Sequence, residues 1–265
     1  MATRLTDPRE LGFNPRLWQT GHQPADEALF EVMSLAAADP EAFEAVFLSL
    51  KVAFHAHTGQ LHRGLPYITH PIGAAWQAIS PRAMDLPVWP YASALLLHDG
   101  PEDNPSGIAE YFANPFRSVP RQQSRERSPE QKLHIAREIG FRLISSHIGS
   151  SVEEIVREVT GPEVAYHGPD NRLRLADRMQ TQMRMIRTPQ GLVAKAADGF
   201  AHGMFVDHPP DVSDEERLYL SDKNFGARTL ILDRFEQPDV LQLFSEAGST
   251  YTRDTLRQYL SHSAA

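Results

Sequence analysis

Apolar residues recur along most of this chain at spacings of three and four, the mark of one buried helical face. The clearest case is 41–57, where Phe43, Val46, Phe47, Leu50 and Phe54 keep helical spacing directly after Pro40. A helix over 26–38 precedes it, behind an irregular arm over 1–24 that is punctuated by Pro8, Pro15 and Pro24. The stretch 58–69, TGQLHRGLPYIT, reads as a loop from its Gly and Pro content. His70-Pro71 then opens a helix through Ile79, Pro being suited to a first turn. A link over 81–90 leads into a central helix over 90–99. There Ala92, Ala94, Leu95, Leu96 and Leu97 end abruptly in His98 and Asp99, and Gly100-Pro101 predicts the stop.

Downstream, 104–128 has Asn, Pro, Ser, Gly and Arg in excess and reads as a loop or insertion. Its Arg117, Arg121, Arg125 and Arg127 would suit either a solvated loop or a basic lid. Ser128 and Gln131, flanking Pro129, predict a helix to His147; Ser151 with Glu154 predicts another to Val159. Helices are also expected over 170–187, over 190–205 behind Thr188-Pro189, and over 213–235, 238–246 and 252–261. No β-alternation of any length and no internal repeat is present. The expected fold class is therefore all-α: one helical domain over 41–205, an N-terminal arm and helix over 1–40, and C-terminal helices over 206–265 packed on the same domain.

Composition narrows the chemistry. A chain of 265 residues, 41% hydrophobic and 23% charged, can bury one large core. No apolar run approaches the ~20 residues of a membrane span. The opening MATRLTDPRELGF lacks the apolar centre of a secretory signal, so a cytoplasmic location is expected. The absence of cysteine excludes disulfides, thiolate nucleophiles and thiolate-held zinc. A net charge of −8 argues against nucleic acid as partner. An anionic ligand would have to be held by a local basic patch or by a metal. Oligomeric state is not legible.

Three stretches carry polar residues that could converge. The loop HTGQLHRGLPYITHP supplies His57, His62, Arg63 and His70. The central helix supplies His98 and Asp99, with Glu102 and Asp103 just beyond. The helix over 190–205 supplies Lys195 and Asp198, with His202 one turn on. An imidazole and a carboxylate drawn to the core by an apolar helix need partners, and a metal ion satisfies both. Two His nitrogens with two Asp oxygens suit Mn²⁺, with Fe²⁺ or Zn²⁺ as weaker fits.

The run HTGQLHRGLPYITHPIGAA (57–75) together with ALLLHDGPED (94–103) resembles the hydrolase domain of the RelA/SpoT family, closest in size to its small stand-alone alarmone hydrolases. That family belongs to the HD superfamily of metal phosphohydrolases, and the likeness covers 42–205, its first two blocks being the strong ones. The resemblance implies an HD-domain helical bundle and removal of the 3′-pyrophosphate from (p)ppGpp with Mn²⁺, without the family's synthetase activity. It implies His70, His98, Asp99 and one further Asp as metal ligands. Asp198 is preferred to Asp177, because the family places a loop and two helices between its Val-Thr step, here Val159-Thr160, and that ligand. Glu102 and Asp103 match the family's acidic pair, which positions or deprotonates the attacking water and handles the leaving-group proton.

Two departures bear on the substrate. The family's basic pair, which packs on the guanine, is His62-Arg63 here, so adenosine alarmones such as (p)ppApp enter as alternative substrates. Where the family's last block has Asn, His202 stands; His202 and Lys195 are candidate phosphate contacts. Other HD-type phosphohydrolases, such as a nucleotidase or a phosphorylated-metabolite hydrolase, and a non-catalytic regulatory module remain open.

Overall fold

The computed structural model describes residues 7–62, 64–80, 88–113, 129–161 and 185–201. Arg63, Asp177, His202, residues 114–128 with their four arginines, and the helices expected over 213–261 lie outside the described residues, as does nearly all of that expected over 170–187. The fold is all-α; among the described residues the one strand pairing is a two-residue hairpin.

The arm before the first helix consists of two short 3-10 turns, Pro8–Leu11 and Pro15–Leu17, each capped by the preceding Asp7 or Asn14 side chain. Phe13 between them is buried and meets Phe47 edge-on. Helix α1 (Gln23–Ala36) starts three residues earlier than the pattern suggests. Pro24 sits in its first turn, where a missing N–H costs nothing. Asp39 caps α2 (Pro40–Ala56) by accepting from the Glu41 amide at 3.0 Å.

A hairpin follows, with β1 (Leu61–His62) antiparallel to β2 (Leu65–Pro66). Gly64 in the turn has φ +80°, a conformation that strains any residue with a Cβ. It leads into α3 (Thr69–Ile79), whose residues from Thr69 to Ala75 are all buried. Helix α4 (Val88–Leu97) is broken at Trp89 (φ −103°, ψ 134°), the extended geometry that a following proline imposes. From Tyr91 to Leu97 every residue is buried.

Two expectations need correction here. Gly100-Pro101 does not end helical structure; Pro101 lies in the first turn of a one-turn helix, α5 (Gly100–Asp103). Residues 105–112 are not loop but helix α6 (Pro105–Phe112). Asn104 accepts from the Gly107 amide at 3.0 Å, and Ile108 buries itself below that cap. The Asn, Pro and Gly that suggested a loop are this helix's start signal. Gly107 is also pressed so close to Ala56 that an added Cβ would stand 3.0 Å from its Cα.

Helix α7 (Pro129–His147) runs into α8 (Ser150–Val159). The capping box expected at Ser151 is not formed: α8 begins at Ser150 behind Gly149, and no side chain caps it. Val152, Ile155, Val156 and Val159 form its buried stripe. Helix α9 (Pro189–Ala201) begins as expected, with Thr188 Oγ1 accepting from the Gly191 amide at 3.0 Å.

Helix α4 is the axis of the molecule, packed between α2, α3 and α8, while α9 lies across α3 and α8. Leu29, Val32 and Met33 of α1 enter the same core as Leu95, Leu96 and Leu97. Among the described residues no helix is long and apolar enough to cross a membrane.

Candidate metal centre

The apolar course of α4 explains where its last two polar residues lie. A helix buried on every side can only end inside the protein, and His98 (2% exposed) is held there by its neighbours. Its Nδ1 is 2.7 Å from the Leu95 carbonyl, which can only accept, so Nδ1 carries the hydrogen and Nε2 faces outward from α4. The Thr160 hydroxyl, placed between the carbonyls of Val156 (2.7 Å) and His98 (3.2 Å), ties the end of α8 to this turn.

Two further helices bring groups to His98 Nε2, and Asp99 adjoins it in the turn after α4. His70, in the first turn of α3, places its Nε2 3.0 Å from Asp198 Oδ1 and 3.4 Å from Asp99 Oδ2. His98 Nε2 lies 3.1 Å from Asp99 Oδ1 and 3.2 Å from Asp198 Oδ1. His70, His98 and Asp198, all buried, thus offer one ligand atom each within 4.8 Å of one another. This group could hold a metal ion. Asp99 borders it with one oxygen toward each imidazole.

The donor chemistry fits an ion. The Leu95 bond is the outer contact that metal-binding histidines use to fix a tautomer with Nε2 free to ligate. In that tautomer a lone pair on Nε2 faces carboxylate oxygens at little over 3 Å, which is repulsive unless a proton or a cation lies there. Donor atoms around an ion bound at about 2.1 Å are about 3.0 Å apart in an octahedron and about 3.4 Å in a tetrahedron. The observed separations of 3.0 to 3.4 Å span both.

Proton binding responds to the same charges. Burial pulls the His98 imidazolium down, but Asp99 and Asp198 outweigh it and hold its pKa up at about 9. Burial would raise the Asp198 carboxyl, yet Lys195, His98 and His70 keep it well below the usual carboxylate range. Asp99 is likewise lowered: His98 and His70 overcome its burial and the charge of Asp198.

Comparison with family models, with curated proteins and with solved structures found no match. Function must therefore be read from the site itself.

The remaining candidates divide. Lys195, one helical turn before Asp198, pairs with Asp198 Oδ2, the oxygen turned away from the imidazoles. Asp103 stands beside Asp99, and burial together with the Asp99 charge raises its carboxyl pKa. Glu102 turns elsewhere: its Oε2 accepts from the Gly161 amide at 2.8 Å, just beyond α8. Adjacent helical residues diverge by about 100°, so the one-turn helix α5 cannot aim both carboxylates at one point. His62 contributes its backbone to the hairpin, paired with Leu65. Its side chain, like Arg63 and His202, lies outside the described residues.

Tyr67, which the sequence places only within the loop over 58–69, is the residue whose part in the site was not foreseen. Its hydroxyl donates to Asp99 Oδ2 at 3.0 Å. Burial, then the charges of Asp99 and Asp103, push its pKa far up, so it stays a donor at any ordinary pH. Outer contacts of this kind typically support metal affinity by 10–100-fold. Tyr67→Phe is expected to weaken metal binding by about tenfold while leaving the melting temperature of the ion-free protein within a few degrees. Titration calorimetry checks this, and unchanged affinity would remove Tyr67 from the site.

A pH dependence follows from His98. Its pKa is higher in the folded protein, about 9, than its ordinary 6.5. That contribution to stability is complete below pH 6.5 and lost as pH rises through about 9. Protein stripped with EDTA is expected to melt at progressively lower temperature across this window. Apparent metal affinity is expected to rise over the same window, because the ion must displace the His98 proton. Melting curves and calorimetry at stepped pH check both slopes.

Proposed function

We propose that this protein is a divalent-metal phosphohydrolase of the HD type, with nucleotide alarmones as substrate and Mn²⁺ as the resident ion. What carries the reading is the meeting of His70, the His98-Asp99 dyad and Asp198 from three separate helices at one buried point. The ion identity rests on the mixed nitrogen and oxygen donor set, which favours Mn²⁺ over Fe²⁺ or Zn²⁺. The substrate rests on the resemblance of 57–75 and 94–103 to the RelA/SpoT hydrolase domain.

His70, His98, Asp99 and Asp198 would hold the ion. When bound, it would supply a water of lowered pKa and charge for the phosphoryl oxygens. The chain's own residues do the rest. Tyr67 fixes the Asp99 carboxylate by its hydrogen bond. Asp103, with its raised pKa, is the carboxylate suited to take a proton from the attacking water and return it to the ribose 3′ oxygen as the P–O bond breaks. Glu102 holds the α5 turn against the end of α8 through Gly161 and is a positioning residue. Lys195 keeps Asp198 ionised. His62 and Arg63 are assigned to the nucleotide by resemblance alone, and His202, which stands where the family has Asn, is kept as a candidate phosphate contact.

One observation favours a second reading. The Lys195 ammonium already partners Asp198, so a non-catalytic regulatory module could keep this cluster neutral without an ion.

Product analysis separates the two. Mn²⁺-loaded protein is incubated with ppGpp or ppApp and the products are resolved by anion exchange, with Asp99→Asn as control. Pyrophosphate from wild type but not from the variant is expected, and the faster substrate names the base. Bound metal without cleavage of either alarmone would move the substrate to another phosphate ester. Neither metal nor cleavage would leave the regulatory reading.

A further inference from the structure

Asp198 and the His98-Asp99 dyad lie on elements far apart in the chain, and the end of α8 touches both carriers. Glu158, in its last turn, holds the start of α9. Glu158 Oε1 accepts from the Arg187 amide at 3.2 Å. Its Oε2 accepts from the Thr188 amide at 3.2 Å and from the Thr188 hydroxyl at 2.7 Å. The same side chain fills the space that a Cβ would take at Gly191. Two residues on, the buried Thr160 hydroxyl lies 3.2 Å from the His98 carbonyl, the oxygen of the peptide that joins His98 to Asp99. Gly161 then donates its amide to Glu102 of α5 and accepts at its carbonyl from Arg137 of α7 at 3.1 Å.

Residues 158–161 therefore hold the helix of Asp198 and the turn of the dyad to one frame. An α-helix moves much as a rod, so a shift at Thr188 carries to Asp198, about 15 Å along α9. Packing between those two points sets the position of α9 only weakly. Its buried side chains there are Leu192, Val193, Ala194, Ala196 and Ala197, and a lone methyl group makes a shallow ridge for a neighbouring helix. An ion is far less forgiving than a core, since its donor distances hold to within about 0.2 Å.

We propose that Glu158 and Thr160 are positioning residues of the metal centre, a yoke at the end of α8 that sets Asp198 against the His98-Asp99 dyad. The inference rests on the metal centre of the phosphohydrolase reading and deepens it. Both residues act through the elements they hold.

Three substitutions separate alignment from plain stability. Thr160→Val keeps the volume and removes the hydroxyl, Thr160→Ser keeps the hydroxyl, and Glu158→Ala releases the start of α9. In titration calorimetry, Thr160→Val and Glu158→Ala are each expected to bind Mn²⁺ about tenfold more weakly, the lower end of what outer contacts contribute. Thr160→Ser is expected to keep most of the affinity. Electron paramagnetic resonance of the bound Mn²⁺ should broaden in the two weak binders, because their donors no longer hold one arrangement. Ile144→Val, at a fully buried position on α7, is the control: it should lower the melting temperature and leave affinity and signal unchanged.

Wild-type affinity and signal in Thr160→Val and Glu158→Ala, with only the melting temperature lowered, would overturn the proposal and leave the centre standing. A Thr160→Ser variant as weak as Thr160→Val would overturn it too, and this pair decides alone if Glu158→Ala does not fold. A wild-type protein that binds no Mn²⁺ sinks the centre itself. The expected order of affinities in a protein that cleaves no phosphate ester sinks the hydrolase reading and keeps the yoke.

Discussion

Asp198→Asn is expected to strip the protein of bound metal. Asp198 Oδ1 is the one oxygen in contact with both imidazoles, at 3.0 Å from His70 Nε2 and 3.2 Å from His98 Nε2. Asparagine keeps the volume and removes the charge. Loss of a direct ligand should exceed the roughly 100-fold upper cost of losing an outer contact. At a free-ion concentration that saturates wild type, the variant should retain little metal and no measurable hydrolysis. The ion-free protein should suffer as well. Lys195 loses its carboxylate, and His98 loses one of the two charges that hold its pKa up. Removing one partner from a buried charge pair costs on the order of 3 kcal/mol. Metal analysis and denaturant unfolding read the two effects separately, and a variant that binds metal like wild type would exclude Asp198 as a ligand.

Leu96→Ala should be the most damaging conservative change away from the centre. Leu96 is fully buried on α4, the helix packed between α2, α3 and α8. Deleting a buried leucine side chain costs about 2–5 kcal/mol, the upper end where neighbours cannot collapse into the cavity. Full burial of Leu96 on a helix that packs against three others favours the upper half of that range. Because α4 carries the dyad at its end, thermal unfolding and loss of metal should coincide in this variant. A cost below about 1 kcal/mol, typical of exposed sites, would mean that α4 is not the centre of the core.

The parts of this architecture that were legible in the sequence are those set by local periodicity. Phe43, Val46 and Leu50 mark α2, and the run from Ala92 to Leu97 marks α4, because a helix reports its buried face every three or four residues. The His98-Asp99 dyad was legible for the same reason: polar residues at the end of an all-apolar helix are carried inward with it. Asp198 was preferred to Asp177 on the spacing from Val159-Thr160, and its burial fits that preference.

What was not legible depends on contacts across the chain or on signals with two meanings. Asn104-Pro105 reads equally as turn and as helix start, and only the burial of Ile108 decides for α6. Ser151 with Glu154 has the letters of a capping box, but the N-cap of α8 falls two residues earlier, at Gly149. The bond from Tyr67 to Asp99 spans 32 residues and leaves no local pattern. Glu102 and Asp103, adjacent in sequence, suggested a joint role; one helical turn sends them to different partners.

The most direct test of the centre is anomalous diffraction at the manganese edge from crystals grown with Mn²⁺. One peak bounded by His70 Nε2, His98 Nε2, Asp99 and Asp198 Oδ1, and absent from Asp198→Asn crystals, is the expected result. No peak there at saturating Mn²⁺, with Lys195 still paired to Asp198, would contradict a metal centre and with it the proposed hydrolase function.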